Sequence, residues 1–377
     1  MPNVPSASRV PHAARTLLRP SLLWLLIFAP IAALLDGGGN VPAGVVFFCA
    51  AIAIVPFAKL IVQGTEQVAV HTGATVGGLL NATFGNLPEL IIAVTALRAG
   101  LLEMVRASIV GALLGNLLLA LGLSFLLGGV RHHSQDYNPG AIRTFSSMML
   151  LAWISLAIPS AFHRAFGPDL VEVRHATLDF VVAIVLLCLY GLFLIFSLKT
   201  HPETFAELNA PAPNREASEH PGIAWGIATL LFASLGAAWM SEILVGAAEQ
   251  AGTSLGMSQM FMGVIVLAVV GGAAESGSAI AMARSNRVDL SIGIALGSCV
   301  QIALFVAPLL VLVAPAVGQA QFQLIFSQAE LWLLFAAVLL GATVAAAGQS
   351  NWFKGAQLLA LYFIIAVVLY LTPAASP

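Results

Sequence analysis

The sequence predicts an all-α polytopic membrane protein of about 11 transmembrane helices, one extra N-terminal helix followed by two inverted-topology five-helix repeats. Three observations lead there. Of 377 residues, 59% are hydrophobic and 8% charged, with a mean hydropathy of +0.97. A soluble domain carries about a quarter charged residues. Long apolar runs recur along the chain, and two of them, Val76 to Leu97 and Met260 to Ala283, each hold one acid, Glu89 and Glu275. Basic residues divide unevenly between alternate loops.

Residues 1–20 are polar and include Arg9, Arg15 and Arg19. The apolar run Leu22 to Leu35 could pass for the core of a signal peptide. No small-residue cleavage site closes it, and Asp36-Gly37-Gly38-Gly39-Asn40 reads as a turn, so it is taken as the first helix. Hydropathy then places spans at about 42–63, 71–97, 104–127, 142–160 and 177–198. After a polar stretch come about 222–247, 258–283, 290–314, 328–347 and 355–372. The run at 42–63 is the least regular, because Pro56 and Lys59 interrupt it. The expected organisation is a tail and first helix (1–41), a first repeat (42–198), a linker (199–221) and a second repeat (222–377). The linker, with Glu203, Glu207, Glu216 and Glu219, reads as a solvated cytoplasmic connector, with cation sensing or gating as the alternative.

With the N-terminus inside, only Arg98, Arg106, Arg164 and Arg174 fall outside, leaving 11 of the 15 basic residues cytoplasmic. The positive-inside rule favours that orientation. Glu89 then lies on the third helix and Glu275 on the eighth, five spans later, and an odd offset inverts the copy. Each acid precedes an arginine, Arg98 or Arg284, by nine residues. Nine residues cover roughly half of a 30 Å hydrocarbon core. Two further pairs match in order: Thr65-Glu66 with Ser241-Glu242, and Gly111-Ala112-Leu113-Leu114-Gly115-Asn116 with Gly293-Ile294-Ala295-Leu296-Gly297-Ser298.

Several classes are disfavoured. A net charge of −2 gives no support for nucleic-acid binding. Cys49, Cys188 and Cys299 lie inside spans without paired spacing, so neither a disulfide framework nor a thiolate metal site is expected. Zinc-protease, Walker A and dinucleotide-binding motifs are absent. An intramembrane enzyme is a remote alternative, since Ser278 and Ser124 have no His at helical spacing. The partners expected are the lipid bilayer and transported ions, with a homo-oligomer possible and no resident cofactor.

The two acids define the candidate site. A carboxylate at mid-bilayer costs roughly 3 kcal/mol even on lenient scales, so its default reading is functional. Alone, either could be a structural hydrogen-bonder; a matched pair at matching depth argues for one ion site. Pro88 and Gly85 weaken the helix beside Glu89, as Gly271 and Gly272 do beside Glu275. Carbonyls freed at Gly85 and Gly271 could turn to an ion, and Asn86, Asn116 and Ser298 add side-chain oxygens. Oxygen ligands of this kind suit a hard cation such as Ca²⁺. Two protons or one divalent cation would neutralise the pair, whereas the empty, doubly ionised pair is costly to move, so charge balance predicts exchange. Glu66 and Glu242 lie nearer the membrane ends and could be interfacial or part of a proton path. Gln301 could be an inter-helix hydrogen bond or a member of the site.

Asn81-Ala82-Thr83-Phe84-Gly85-Asn86-Leu87-Pro88-Glu89-Leu90-Ile91-Ile92 resembles the first signature of the CAX-type Ca²⁺/H⁺ antiporters, in the calcium/cation antiporter superfamily. Gly271-Gly272-Ala273-Ala274-Glu275 and Gly297-Ser298-Cys299-Val300-Gln301-Ile302-Ala303-Leu304-Phe305-Val306 resemble the second. The resemblance runs from about Glu66 to Tyr370 and includes the stretch from Gln349 to Leu359. It implies eleven helices, Ca²⁺ and H⁺ as transported substrates, and a central site on Glu89 and Glu275. It also implies alternating access driven by sliding of the second and seventh helices, on which Glu66 and Glu242 would lie. The carbonyls of Gly85 and Gly271 would match backbone ligands in related exchangers. The chain departs from the second signature, usually Gly-Asn-Ala-Ala-Glu-His, at Gly272 and Ser276, which removes an amide. Pro88 has a flavour of the Na⁺/Ca²⁺ exchangers, so transport of Na⁺, K⁺ or Mn²⁺, or coupling to Na⁺, is the alternative. A bacterial cytoplasmic membrane is the expected location, with a eukaryotic vacuole as the alternative.

Overall fold

The computed structural model describes residues 22–38, 41–166, 172–205, 222–319 and 322–372. The N-terminal tail (1–21) and most of the linker (206–221) lie outside the described residues. The chain forms α1 (Leu22–Asp36), α2 (Ala43–Thr72), α3 (Ala74–Phe84), α4 (Leu87–Arg98), α5 (Leu102–His132), α6 (Pro139–Phe166) and α7 (Glu172–Ile195, with a π-helical end to Thr200). After the linker come α8 (Ile223–Leu255), α9 (Gln259–Gly271), α10 (Ala273–Arg284), α11 (Val288–Val317), α12 (Gln328–Ala345) and α13 (Trp352–Leu371).

Among the described residues nine helical stretches are long and apolar enough to span a bilayer, and α3 with α4 counts as one of them. The pair α9 and α10, bent by 58°, makes a tenth, and α1 is shorter. The expected count of 11 is therefore reached only if α1 is a span. Large side chains such as Leu235 and Leu371, each 72% exposed, face outward as a lipid-facing surface requires.

The largest departure from expectation is at α2. It runs as one helix from Ala43 to Thr72, past Pro56 and Lys59, rather than stopping near residue 63. Pro56 is buried, and α8 packs along the helix. Neighbouring helices can compensate the one backbone bond a proline removes. The helix ends where Gly73 adopts φ 85°, a conformation that costs glycine little, and the chain turns into α3.

The two long helices α2 and α8 pack antiparallel. Gly44 lies near Leu255, Phe57 near Gly236, and Gly64 near Leu230 and Gly226. A Cβ on Gly64 would lie 2.9 Å from the Leu230 amide nitrogen, so the backbones touch where only glycine fits. With α1, these helices share one apolar cluster that includes Phe47, Ile54, Met240 and Leu244. A second cluster, with Leu118, Phe125, Ile142, Leu304 and Leu358, joins α5, α6, α7, α11, α12 and α13. Repeat-related α5 and α11 also cross antiparallel at their centres, where the Cys299 thiol donates to the Leu113 carbonyl at 3.7 Å.

One end of the molecule is tied by the short strands β1 (Ser134–Asp136) and β2 (Gln349–Asn351), which pair antiparallel. Gln135 donates to the Ala283 carbonyl at 2.9 Å, and His132 Nε2 lies 3.0 Å from the Arg284 carbonyl oxygen. Three loops expected on one side of the membrane, α5–α6, α10–α11 and α12–α13, thus meet. Tyr137 donates to the Ala345 carbonyl at 3.0 Å. Burial, with the nearby Asp289 carboxylate, pushes its phenol up to about 12, so it stays a neutral donor.

Candidate functional site

The spans carrying the two acids are interrupted as their glycines predict. The chain between α3 and α4 makes a tight turn at Gly85-Asn86, and α9 passes to α10 through Gly272. Beyond each turn the backbone ladder restarts, with the Leu90 amide donating to the Asn86 carbonyl at 3.1 Å and the Ser276 amide to the Gly272 carbonyl at 2.9 Å. None of the backbone bonds bridging either turn ends on the carbonyl of Gly85 or Gly271. Glu89 and Glu275 therefore each sit in the first turn of a half-helix, where the helix dipole favours negative charge.

The two acids converge on the second glycine pair. A Cβ on Gly271 would lie 3.1 Å from Cγ of Glu89 and 3.5 Å from its Oε1. A Cβ on Gly272 would lie 3.8 Å from Oε1 of Glu89 and 4.0 Å from Oε2 of Glu275. Both carboxyl oxygens of Glu89, and Oε2 of Glu275, are buried with no hydrogen-bond partner among the described residues. Buried carboxyl oxygens left in that state call for protons or a cation. Among the described residues no three His, Cys, Asp or Glu side chains gather into a metal cluster. A cation here would draw its remaining oxygens from carbonyls, amides and water.

The other sequence-predicted residues form a chain beside the acids. Asn116 donates to Ser298 Oγ at 3.0 Å, Ser298 donates to Asn86 Oδ1 at 2.6 Å, and Asn86 donates to Gln301 Oε1. Asn86, Asn116 and Ser298 are all buried. Repeat mates Asn116 and Ser298 thus bond directly to each other. Asn116 lies in the first turn of a π-helical stretch of α5 (Gly115–Ala120) and Gln301 immediately precedes one in α11, irregularities that recur at functional sites. Gln301 also abuts the first turn, with its Oε1 3.1 Å from where a Cβ on Gly85 would sit.

A cavity of about 240 Å³ reaches this cluster from one end. Glu275, Asn86, Ser298 and Gln301 line it, as do Ser197 and Leu198 in the π-helical end of α7 and Phe205 beyond it. Glu66 also lines the cavity, well inside α2 rather than at a helix end, because α2 is longer than expected. Its repeat mate Glu242 lies elsewhere, exposed on α8 and 3.7 Å from Arg98.

Comparison with known proteins places this architecture. The pattern of the family described as sodium/calcium exchanger protein matches residues 43–199 and 225–371, one match for each half. The chain belongs to the sodium/calcium exchanger protein family. A Ca(2+)/H(+) antiporter of Synechocystis is 40% identical over 368 residues, covering 93% of this chain and 97% of that one. The Ca(2+)/H(+) antiporter ChaA of Bacillus subtilis is 38% identical over 333 residues, with coverage of 88% and 93%. The solved structure of native YfkE superposes with a TM-score of 0.80 at 34% identity, covering 93% of this chain and all of that one.

Within this exchanger fold, two polar residues escape a reading of the sequence, and a third, Asn81, is legible there only as part of the first signature. Asn81 lines the cavity from α3. Tyr190 of α7 donates to the Ala82 carbonyl at 2.7 Å, at the last turn before the break. Asp179 is 2% exposed on α7, next to the Leu324 backbone. A lone Asp in an apolar run was a signal of the same kind as Glu89. The Tyr190 contact carries no comparable mark in one dimension.

Proposed function

We propose that this chain is a secondary transporter that exchanges Ca²⁺ for H⁺ through Glu89 and Glu275 by alternating access. The observation that carries the reading is the convergence of these repeat-related carboxyls on Gly271 and Gly272, with buried oxygens that no other hydrogen-bonding side chain or backbone group among the described residues satisfies. The relatives named Ca(2+)/H(+) antiporter support the choice of ions.

In this reading one Ca²⁺, or two protons, neutralises the pair. A loaded site crosses the membrane region cheaply and an empty one does not, which couples the two fluxes. The carbonyls of Gly85 and Gly271, free of the bonds that bridge the turns, complete the oxygen set. The chain from Asn116 through Ser298 and Asn86 to Gln301 fixes the turn that carries the Gly85 carbonyl. The cavity supplies access from one end, with Glu66 on its wall as a proton relay or gate. Glu242, held near Arg98, takes that part on the opposite side. The two long helices α2 and α8, packed along each other and joined to α1 by apolar contacts, would move together. Residues 42–198 and 222–377 are the two repeats and 199–221 connects them. The N-terminus and the β1–β2 end face the cytoplasm, of a bacterial inner membrane.

Transport into vesicles tests the ions. Radiolabelled Ca²⁺ should enter inside-out vesicles under a pH gradient without Na⁺. Uptake only against a Na⁺ gradient would move the coupling to Na⁺. Failure of Ca²⁺ under both gradients, with uptake of Mn²⁺, K⁺ or Na⁺, would replace the cargo.

A further inference from the structure

Of the four basic residues expected at the end opposite the cavity mouth, two have acids beside them. Arg98 lies 3.7 Å from Glu242. The charge of Arg106 acts on the buried carboxyl of Glu330. The side chain of Arg174 lies outside the described residues. Arg164, in the last turn of α6, has no carboxylate within 4.0 Å among the described residues.

Arg164 instead lines a cavity of about 450 Å³ between α6 and α12. Trp153, Ala157, Leu331 and Trp332 wall it, and Gln328, in the first turn of α12, stands with Arg164 at the helix ends. The Trp153 indole donates to the Leu331 carbonyl at 2.9 Å and its ring packs on Phe335, with centroids 4.6 Å apart. Trp332 is 60% exposed. Trp153 lies eleven residues before Arg164 on α6, a helical distance of about 16 Å.

That spacing matches a lipid lying along the helix. An apolar slot at bilayer depth takes an acyl chain. A guanidinium at a helix end reaches the phosphate level, where its planar fork holds a phosphate by paired hydrogen bonds. Tryptophans concentrate at the same interface. We propose that this cavity is a phospholipid site, with the phosphate on Arg164 and Gln328 and an acyl chain between Trp153 and Trp332. The charge of Arg164, with no carboxylate within 4.0 Å among the described residues, makes it select anionic headgroups.

Fluorescence quenching tests this in the full-length protein reconstituted in vesicles. Changing Trp24, Trp225, Trp239, Trp332 and Trp352 to Phe leaves Trp153 as the only indole. Brominated phosphatidylglycerol should quench it in preference to brominated phosphatidylcholine by about fivefold, the contribution of one basic residue at a membrane surface. Arg164→Ala should bring the ratio to about one, and Arg164→Lys should keep most of it. No quenching by either lipid would mean that another copy or another helix fills the slot, and would overturn the proposal. So would equal quenching unaffected by Arg164→Ala, the mark of ordinary annular lipid. Loss of the preference on adding inorganic phosphate would make this an ion site instead of a lipid site. If the single-tryptophan variant does not fold, lipid retained through purification gives an independent readout. Phosphatidylglycerol enriched in wild type but not in Arg164→Ala supports the site, and equal enrichment overturns it.

Discussion

The side chain of Glu89 rests on Gly271, its Cγ 3.1 Å from where a Cβ would project. An acid from the first half of the chain is thus packed against the helix break of the second half. The two repeats build one site because a residue without a side chain stands at that point. Glu275 approaches the next residue, Gly272, from its own half-helix.

Gly271→Ala should displace the Glu89 carboxylate by a few tenths of an ångström without unfolding the chain. Misplacing a reacting group by about 1 Å can cost 100-fold, so a smaller shift should reduce Ca²⁺ transport by about tenfold. Initial uptake rates and the thermal midpoint in detergent, measured together, separate this from instability.

Gly272→Asn should tighten Ca²⁺ binding. Gly272 has φ −78° and ψ 7°, open to any residue, and its Cβ direction leads toward both carboxylates. An added amide oxygen should contribute about 1 kcal/mol, or roughly fivefold in affinity. Calorimetric titration of the purified protein with Ca²⁺ measures it.

Ser298→Ala should break the chain in the middle, leaving Asn86 Oδ1 and the Asn116 amide without their shared partner. Hydrogen bonds inside membrane proteins average about 0.6 kcal/mol. A loss of about 1 kcal/mol is expected, since two bonds go at once. A double-mutant cycle with Asn116→Ala, read by thermal unfolding, should show the two changes to be non-additive.

Gly64→Ala should destabilise the pairing of α2 and α8. The added Cβ meets backbone, the Leu230 nitrogen at 2.9 Å and the Gly226 oxygen at 3.1 Å, and neither can rotate away. Overpacking of this kind costs about 1–3 kcal/mol, so the thermal midpoint should fall by several degrees.

The features legible in the sequence were those that break a pattern. Glu89 and Glu275 stood out because a carboxylate is expensive in an apolar run, and their glycines marked the helix breaks. Equal spacing to Arg98 and Arg284 related the halves. The extent of α2 was misread because Pro56 and Lys59 look disruptive in one dimension, whereas packing on α8 sustains the helix around them. The sequence offers Asn116 and Ser298 as side-chain oxygens near an ion, but the bond between them, across positions 182 residues apart, is a contact that composition cannot reveal. Tyr190 reaches the Ala82 carbonyl for the same reason, through tertiary packing alone.

The most direct test of the account is proton-gradient-driven Ca²⁺ uptake in vesicles containing wild type, Glu89→Gln or Glu275→Gln, at matched protein incorporation. Glutamine keeps the shape but can neither ionise nor carry the proton. The account predicts loss of coupled uptake in both variants. Uptake that persists at the wild-type rate and remains proton-dependent in either one would contradict a two-glutamate exchange site.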